Sequence, residues 1–297
     1  MNAPTKGVMA HAACACPVCG GAAQPWLEKS GHALVRCSAC GHGFLAQALA
    51  GDHVARHYAD DYFFGGGDGY PDYLAGADLV RAQARRYAQI VACHAPPGTL
   101  ADIGAAAGFL LAEFRAAGWS GTGIEPNATM REYGHNTLDL DVQAGDAESF
   151  SLPQPVDLVT MIQVVGHLHD LSRALGNVAV HLKPGGLCLV EYWDATSLLA
   201  RMMGANWYEI SPPSVVHWFG PRDLARAFAN HGMDQIDQGR PRRSVLGAHV
   251  ASLLEHKLGQ SGALAWARGL TRLIPPRAQI PYPAFDLRWA LFKKVRA

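Results

Sequence analysis

The 297-residue sequence carries no net charge, because 25 lysine and arginine residues balance 25 aspartate and glutamate residues. A neutral total argues against a general polyanion-binding protein, so we expect no nucleic-acid partner. Charged residues are scarce at 17%, whereas 49% of residues are apolar, which excludes wholesale disorder and provides for a sizeable core. At roughly 150 residues per domain, the length allows one large domain or two unequal ones.

The sequence also lacks long apolar runs. None reaches the roughly 18–20 residues of a membrane span, and the N-terminus has no apolar segment of the kind found in secretory leaders. We therefore expect a cytoplasmic protein with no membrane span. The neutral total hides an asymmetry, since residues 99–170 hold ten acids and two bases, whereas residues 240–297 hold eleven bases and two acids. The acidic middle favours a cationic ligand, with solvated helix faces as the alternative.

Five of the seven cysteines lie within the first 40 residues. Four of them form two C-x2-C pairs, Cys16 with Cys19 and Cys37 with Cys40, separated by 17 residues and each followed by glycine. This spacing is typical of a structural zinc ribbon. Disulfides are the alternative, but no secretory signal supports an oxidising compartment. We predict a zinc-ribbon head over residues 1–45, in which Zn²⁺ stabilises the fold and takes no part in chemistry.

The other three cysteines have no such partner in sequence. Cys14 lies just outside the ribbon, either as a bystander or as a substitute for Cys16. Cys93 and Cys188 stand in apolar surroundings and are predicted to be core residues.

Residues 46–98 are predicted to connect the head to the main domain as a lid or linker followed by an N-terminal helix. The loop or lid segment covers residues 43–73, and the helix covers residues 74–94. From residue 99, short apolar strands alternate with helices, which predicts right-handed crossovers and a parallel sheet. The predicted strands are 99–103, 121–125, 141–144, 156–162 and 187–193, and the predicted helices are 108–117, 127–136 and 170–181. Later predicted elements are helices at 196–204, 221–231 and 248–273 and strands at 233–238 and 285–295.

A glycine turn follows the first of these strands. The chain passes Asp102, turns on the small residues between Gly104 and Gly108, and enters a helix whose free amides can face a ligand. The spacing differs from the G-x-G-x-x-G of dinucleotide binders. An acid two residues before the first glycine would repel a pyrophosphate and suits a positively charged ligand.

Two further acids follow the next two strands. Glu125 ends the second strand, where a carboxylate can accept both hydroxyls of a ribose. Asp146 follows the third strand, where it can accept from an adenine amino group. A single acid at a strand end is usually a turn former or helix cap, but three around one glycine turn indicate a nucleoside site.

These residues resemble the motifs of seven-stranded class I S-adenosylmethionine-dependent methyltransferases, over residues 86–240. The glycine turn, Glu125, and Gly145-Asp146-Ala147 are similar to their glycine, ribose and adenine motifs. The resemblance implies an α/β fold with a seven-stranded doubly wound Rossmann-like sheet over residues 99–297, and S-adenosylmethionine as cofactor. It implies ten cofactor contacts: Asp102, Gly104, Ala106, Gly108, Phe109, Glu125, Pro126, Asp146, Ala147 and Gln163.

The later segments resemble a small-molecule branch related to ubiquinone-pathway O-methyltransferases, and the four-cysteine head resembles that of deoxysugar C-methyltransferases. Where the branch commonly has an acid after strand four, this chain has Gly166, which weakens a metal-assisted reaction. His167 follows and is a predicted general base, with helix capping as the alternative. His217 lies in an aromatic stretch that resembles the family's lid, as a base or substrate contact. Aromatic residues that can wall an acceptor pocket are Tyr62, Tyr70, Tyr73, Trp193, Trp207 and Tyr208.

The resemblance implies methyl transfer to a small or carrier-bound acceptor, such as a sugar, a quinone-like compound or a secondary metabolite. Two other functions stay open. One is an RNA methyltransferase that binds its RNA through the zinc ribbon and the basic tail, and the other is an inactive S-adenosylmethionine-binding scaffold. The neutral charge counts against the RNA enzyme. So does the sequence at 160–163, which lacks the Asn/Asp-Pro-Pro-aromatic motif of the exocyclic-amine type. The sequence does not predict an oligomeric state.

Overall fold

The computed structural model describes residues 14–47, 59–64, 72–246, 275, 279–282 and 285–295. The strands within these ranges are β1 (Ala23–Lys29), β2 (His32–Cys37), β3 (Gly43–Leu45), β4 (Thr99–Ile103), β5 (Ser120–Glu125), β6 (Val142–Ala144), β7 (Val156–Ile162), β8 (Leu182–Trp193), β9 (His217–Trp218), β10 (Met233–Gly239), β11 (Arg243–Leu246), β12 (Gln279–Tyr282) and β13 (Leu287–Lys294). The α-helices are α1 (Asp60–Phe64), α2 (Ala77–Ala92), α3 (Phe109–Ala116), α4 (Ala128–Leu138), α5 (Leu171–His181), α6 (Leu198–Met203) and α7 (Pro221–Ala229). The predicted helix at 248–273 lies outside the described residues.

Seven strands form one mixed sheet in the order β10-β13-β8-β7-β4-β5-β6. The five strands from β8 to β6 are parallel, whereas β13 is antiparallel to both β8 and β10. The predicted seven-stranded doubly wound fold is therefore confirmed. The connections leave β4 and β7 in opposite directions along the sheet, so a crevice opens at their carboxyl ends, where such sheets bind ligands.

Both faces of the sheet are buried, as a parallel sheet with helical crossovers requires. Strand β4 shows the alternation. Leu100 packs into the apolar cluster with α2 and α3, whereas Ala101 and Ile103 pack into the cluster on the other face with α5 and α7. Buried rows on both sides fix the register of the central strands and hence the positions of the residues that follow them.

The cysteine-rich head is joined to the large sheet through a second sheet. Strands β1, β2 and β3 form an antiparallel meander, and β9 pairs with β3 to give the order β1-β2-β3-β9. Val35 and Phe44 of the head belong to the same buried cluster as Val159 of the large sheet. The head and the sheet therefore share one hydrophobic core.

The structure corrects two predictions. The predicted loop at 43–73 is wrong at two places: its first residues form β3, and Asp60–Phe64 form α1. In β3, a Cβ on Gly43 would lie 2.9 Å from the Trp26 ring. The prediction that Cys93 is a core residue is wrong, because α2 ends at Ala92 and exposes it, whereas Cys188 is buried as predicted. No described helix has the length and hydropathy to cross a bilayer.

Candidate functional site

An open cavity lies at the carboxyl edge of the parallel strands. Of the ten predicted cofactor contacts, seven line it: Gly104, Ala106, Glu125, Pro126, Asp146, Ala147 and Gln163. Asp102, Gly108 and Phe109 do not. Residues that line it and were not predicted include Phe63, Glu148, Ile162, Val164 and Leu168. The predicted aromatic residues Tyr62 and Tyr73 also line it, and Tyr70 lies outside the described residues.

The glycine turn after β4 brings backbone against this cavity. Gly104 has a φ of +71°, and a Cβ there would lie 2.6 Å from the Cγ2 atom of Val164. Gly108 has a φ of +81° and begins α3. Both positions thus require glycine, for backbone conformation and for space.

Glu125 is held rigidly at the end of β5. Its Oε2 atom accepts a hydrogen bond from the Ala106 amide, and its Oε1 atom accepts one from the Asn127 amide, both at 2.8 Å. Burial raises the pKa of Glu125, and the two amides and Arg131 oppose that shift. A carboxylate offers about four acceptor positions, so two remain for the hydroxyls of a ligand.

Asp102 lies behind the turn and not on the cavity wall. It is buried, and its Oδ1 atom accepts a hydrogen bond of 2.7 Å from the Thr160 hydroxyl, which links β4 to β7. Burial raises the pKa of Asp102 to about 7, and the Thr160 hydroxyl opposes the shift. By linking the two strands, Asp102 helps to fix the position of the turn that follows β4.

Asp146 lines the cavity after β6 and also holds its own turn. Its Oδ1 atom accepts hydrogen bonds from the Glu148 amide at 3.0 Å and from the Ser149 hydroxyl at 2.7 Å. Its turn-forming role and its predicted contact with an adenine amino group are compatible, because each carboxylate oxygen has further lone pairs.

A second, much smaller cavity adjoins the first, and Gln163 and His167 line both. Gln163 has a φ of +62° and donates from Nε2 to the buried Glu191 at 2.8 Å. His167 donates from Nδ1 to the Ser214 carbonyl at 2.8 Å. In the neutral ring this leaves the lone pair on Nε2, so His167 has the tautomer that a base at the junction of the two cavities needs.

The second cavity brings together residues that the sequence did not connect. His217 lines it, as do two carboxylates, Glu191 and Glu209, and the rings of Trp193 and Trp218. Burial and then the nearby Asp286 raise the pKa of Glu209 to about 8. Trp207 and Tyr208, which were also predicted to wall an acceptor pocket, are not among the residues that line this cavity, and both donate hydrogen bonds to Asp286. The chain thus places polar and aromatic groups beside the first cavity.

The four predicted metal ligands converge. The sulfur atoms of Cys16, Cys19, Cys37 and Cys40 all lie within 4.8 Å of one another, and the closest pairs are 3.4 and 3.6 Å apart. A tetrahedral zinc site with bonds of about 2.3 Å places its sulfur atoms roughly 3.8 Å apart, whereas a disulfide needs about 2.05 Å. The donor set and spacing therefore fit zinc.

The thiols differ in how readily they ionise, because burial raises the pKa of Cys16 and of Cys40. Burial opposes ionisation of Cys37, but amide hydrogen bonds from Cys40 and Ala39 outweigh it and lower the pKa of Cys37 to about 6. Cys14 lies outside the cluster, with its sulfur 3.4 Å from the Ala46 carbonyl. The structure thus groups the four cysteines of the C-x2-C pairs without Cys14.

Residues 77–238 match the family model described as "Methyltransferase domain". This chain belongs to that family. The match begins with α2 and ends in β10. It contains the second cavity and all lining residues of the first except Tyr62, Phe63 and Tyr73.

Two curated relatives match part of the chain. Over 118 residues it is 30% identical to dTDP-4-amino-2,3,4,6-tetradeoxy-D-glucose N,N-dimethyltransferase of Saccharopolyspora spinosa, covering 38% of this chain and 47% of that protein. Over 115 residues it is 33% identical to ubiquinone biosynthesis O-methyltransferase of Bradyrhizobium sp. (strain ORS 278), covering 36% and 45%. The chain spans about half the length of these relatives.

Solved structures share the fold at low identity. Burkholderia thailandensis 1,6-didemethyltoxoflavin-N1-methyltransferase, with bound 1,6-didemethyltoxoflavin and S-adenosylhomocysteine, has a TM-score of 0.52 at 14% identity, over 92% of this chain and all of that one. A SAM-dependent methyltransferase from Archaeoglobus fulgidus has a TM-score of 0.51 at 18% identity, over 79% and 98%.

Proposed function

We propose that this protein transfers a methyl group from S-adenosylmethionine to a small-molecule acceptor. The observation that carries the proposal is the fixed carboxylate of Glu125, beside the turn at Gly104 and on the wall of a cavity at the sheet's carboxyl edge. In this proposal the lone pairs of Glu125 accept from both ribose hydroxyls, and Asp146 accepts from the adenine amino group. S-adenosylmethionine, when bound, supplies the methyl group on a sulfonium.

The proposed acceptor site is the junction of the two cavities, because the second cavity has room for about one water molecule and can admit a polar group of the acceptor but not the whole molecule. The two cavities meet at Gln163 and His167, so an acceptor bound there can direct its reacting atom toward the methyl group of the cofactor. Aromatic walls exclude water, and His167 is the proposed base for an acceptor hydroxyl or amine. Because the curated relatives are named for amino-sugar and ubiquinone-pathway substrates, we propose an acceptor that is an amino sugar or a phenol.

We also propose that Cys16, Cys19, Cys37 and Cys40 hold Zn²⁺. Four thiolates would complete its coordination, so the ion would stabilise the head and leave the reaction to other residues. The observation behind this proposal is the convergence of the four sulfur atoms at the rim of the shared core.

Calorimetric titration with S-adenosylmethionine and S-adenosylhomocysteine tests the cofactor assignment, with NADH as the comparison ligand. We expect binding of the first two alone. A subsequent screen of nucleotide-linked amino sugars and catechols, read by formation of S-adenosylhomocysteine, tests turnover. Binding without turnover of any acceptor would favour an inactive scaffold.

A further inference from the structure

Three buried side chains connect the head to the second cavity. The Oδ2 atom of Asp223, at the start of α7, is 3.2 Å from Nδ1 of His42, which follows the last cysteine of the head. Nε2 of His42 is in turn 3.1 Å from Nδ1 of His217 in β9. The exposed fractions are 4%, 0% and 8%. His42 is 175 residues from His217 and 181 residues from Asp223 in sequence, and the fold joins the three side chains into one hydrogen-bonded chain.

Burial raises the pKa of Asp223 to about 7, so above that pH the side chain is a carboxylate, which sets the direction of both hydrogen bonds. A carboxylate only accepts, so His42 carries its proton on Nδ1 and leaves Nε2 as an acceptor. His217 then donates from Nδ1, and its own Nε2 keeps the lone pair. Packing holds the His42 ring in place, with the rings of Phe44 and Phe219 at centroid distances of 5.7 and 4.5 Å.

The Nε2 atom of His217 is the end of this chain. The ring lines the second cavity, and no described residue forms a hydrogen bond with the buried Nε2 atom. Burial and then His42 lower the pKa of His217 well below its ordinary value, against the influence of the Leu168 carbonyl, so the ring is neutral. An unsatisfied buried acceptor is costly, and beside a cavity it marks the place of a ligand's donor group.

We propose that His217 accepts a hydrogen bond from an O–H or N–H group of the acceptor molecule, and that His42 and Asp223 are positioning residues that keep its Nε2 unprotonated. The identity of that molecule as a methyl acceptor rests on the proposed function, whereas the arrangement of protons does not. Through His42, the cysteine-rich head becomes part of the acceptor site.

Histidine tautomers can be read directly from ¹⁵N chemical shifts in zinc-loaded protein labelled at histidine. At mildly alkaline pH, where Asp223 is a carboxylate, we expect His217 to be protonated on Nδ1 alone. The informative variant is Asp223→Asn. The Gly220 amide donates to Oδ1 of Asp223 at 2.8 Å, so the new amide keeps its oxygen there and turns its NH₂ group toward His42. Both hydrogen bonds then reverse, and His217 carries its proton on Nε2.

Asp170→Asn is the matched control. Asp170 also caps a helix, through the Arg173 amide at 3.0 Å, and its charge acts on His217, but it is not part of the hydrogen-bonded chain. We expect this variant to keep the wild-type tautomer. A wild-type His217 protonated on Nε2, or an Asp223→Asn spectrum without the reversal, would overturn the assigned chain.

The role toward the acceptor needs a second measurement. With an acceptor from the screen, Asp223→Asn should lower kcat at least about tenfold while S-adenosylmethionine affinity and zinc content stay at wild-type values. A reversed tautomer with unchanged turnover would overturn the role of His217 in acceptor binding. Failure of the wild-type protein to bind S-adenosylmethionine would instead count against the proposed function and leave the tautomer result standing.

Discussion

The two cavities are built in opposite ways. In the first, the polar groups come from the ends of successive strands, and the partners of Glu125 are the amides of Ala106 and Asn127, 19 and 2 residues away. In the second, His217 depends on His42, which is 175 residues away and directly precedes β3, the strand that pairs with β9. The proposed cofactor site therefore follows from local turns, whereas the proposed acceptor site requires the whole fold.

This difference has an energetic side. Backbone amides and glycine turns hold the polar wall of the first cavity, and Tyr62, Phe63 and Tyr73 complete its lining, so no residue of the cysteine-rich head contributes to it. A buried polar chain holds the second, and it is stable only while every member is satisfied. Damage to the head should thus impair the second cavity more than the first. The following experiments test that separation, beginning with the largest expected effect.

Cys37→Ser should have the largest effect on stability. Loss of one thiolate opens the zinc site, and we expect loss of zinc and of more than about 4 kcal/mol of unfolding free energy. S-adenosylmethionine affinity of the remaining folded protein should change little. Elemental analysis, thermal unfolding and calorimetry measure the three quantities. Cys14→Ser, just outside the cluster, is the control and should behave as wild type. An affinity loss in Cys37→Ser equal to that of Glu125→Ala would mean that the two regions do not separate.

His167→Ala tests the junction between the cavities. A general base contributes about 10²- to 10⁴-fold to turnover, and we expect a loss of that size with cofactor affinity intact. His169→Ala, two positions along the chain, should change turnover little. Rates with an acceptor from the screen and calorimetry with S-adenosylmethionine give the two numbers. Turnover within about threefold of wild type would remove His167 as the base and leave positioning, with His217, to explain catalysis.

Glu125→Ala tests the first cavity. We expect S-adenosylmethionine binding to weaken by about 2–4 kcal/mol, or roughly 30- to 1,000-fold, because two charge-assisted hydrogen bonds are lost. The exposed Glu132, on the following helix, gives a control of equal charge change in Glu132→Ala. Calorimetry that finds equal affinities in the two variants would contradict the ribose assignment.

The raised pKa of Asp102 predicts that the free energy of unfolding depends on pH. Its pKa of about 7 in the folded protein lies above its ordinary value of 3.8. Between these values the folded state holds a proton that the unfolded state has lost, so stability falls as pH rises through this window. The contribution of one such group approaches 1.4 kcal/mol per pH unit, on the order given by linkage.

Asp102→Asn isolates this effect. The amide oxygen can still accept from the Thr160 hydroxyl, so the link between β4 and β7 stays. Urea denaturation from pH 4 to pH 7 should show a shallower decline for the variant than for the wild type. Parallel pH profiles would show that burial does not perturb this carboxyl group.

Much of the first cavity could be predicted from the sequence because strand-end chemistry is local. Gly104, Glu125 and Asp146 each follow an apolar run, and parallel strands bring their carboxyl ends to one edge. Asp102 shows the limit of this reasoning. Its position beside the turn predicted a direct contact, but strand alternation points it toward Thr160, away from the cavity wall.

The second cavity could not be predicted in this way. Neither Glu191 inside a buried strand nor Asp223 at a helix start has a spacing that links it to His217. The one local signal was His42, directly after Cys40-Gly41, a polar residue that a metal site does not need. Its partner could be found only once β9 was known to pair with β3, and a two-residue strand has no sequence periodicity.

Substitution of Asp146 should have the smallest effect on ligand affinity, and it gives the most specific test of the first cavity. Its proposed partner is one neutral amino group, so Asp146→Ala should weaken S-adenosylhomocysteine binding by about 1 kcal/mol, or roughly fivefold. That variant also removes the acceptor of the Glu148 amide and the Ser149 hydroxyl. Asp146→Asn separates the two roles, because its oxygen can keep the turn while its NH₂ group faces the adenine.

S-inosylhomocysteine, in which an oxygen replaces the adenine amino group, completes the comparison. The wild-type protein should prefer S-adenosylhomocysteine, and Asp146→Asn should lose or reverse that preference, since an amide NH₂ can donate to the inosine oxygen. Calorimetry with two ligands and two proteins forms a double-mutant cycle that removes effects on the turn itself. A preference of equal size in both proteins would show that Asp146 serves the turn alone and that another group recognises the base.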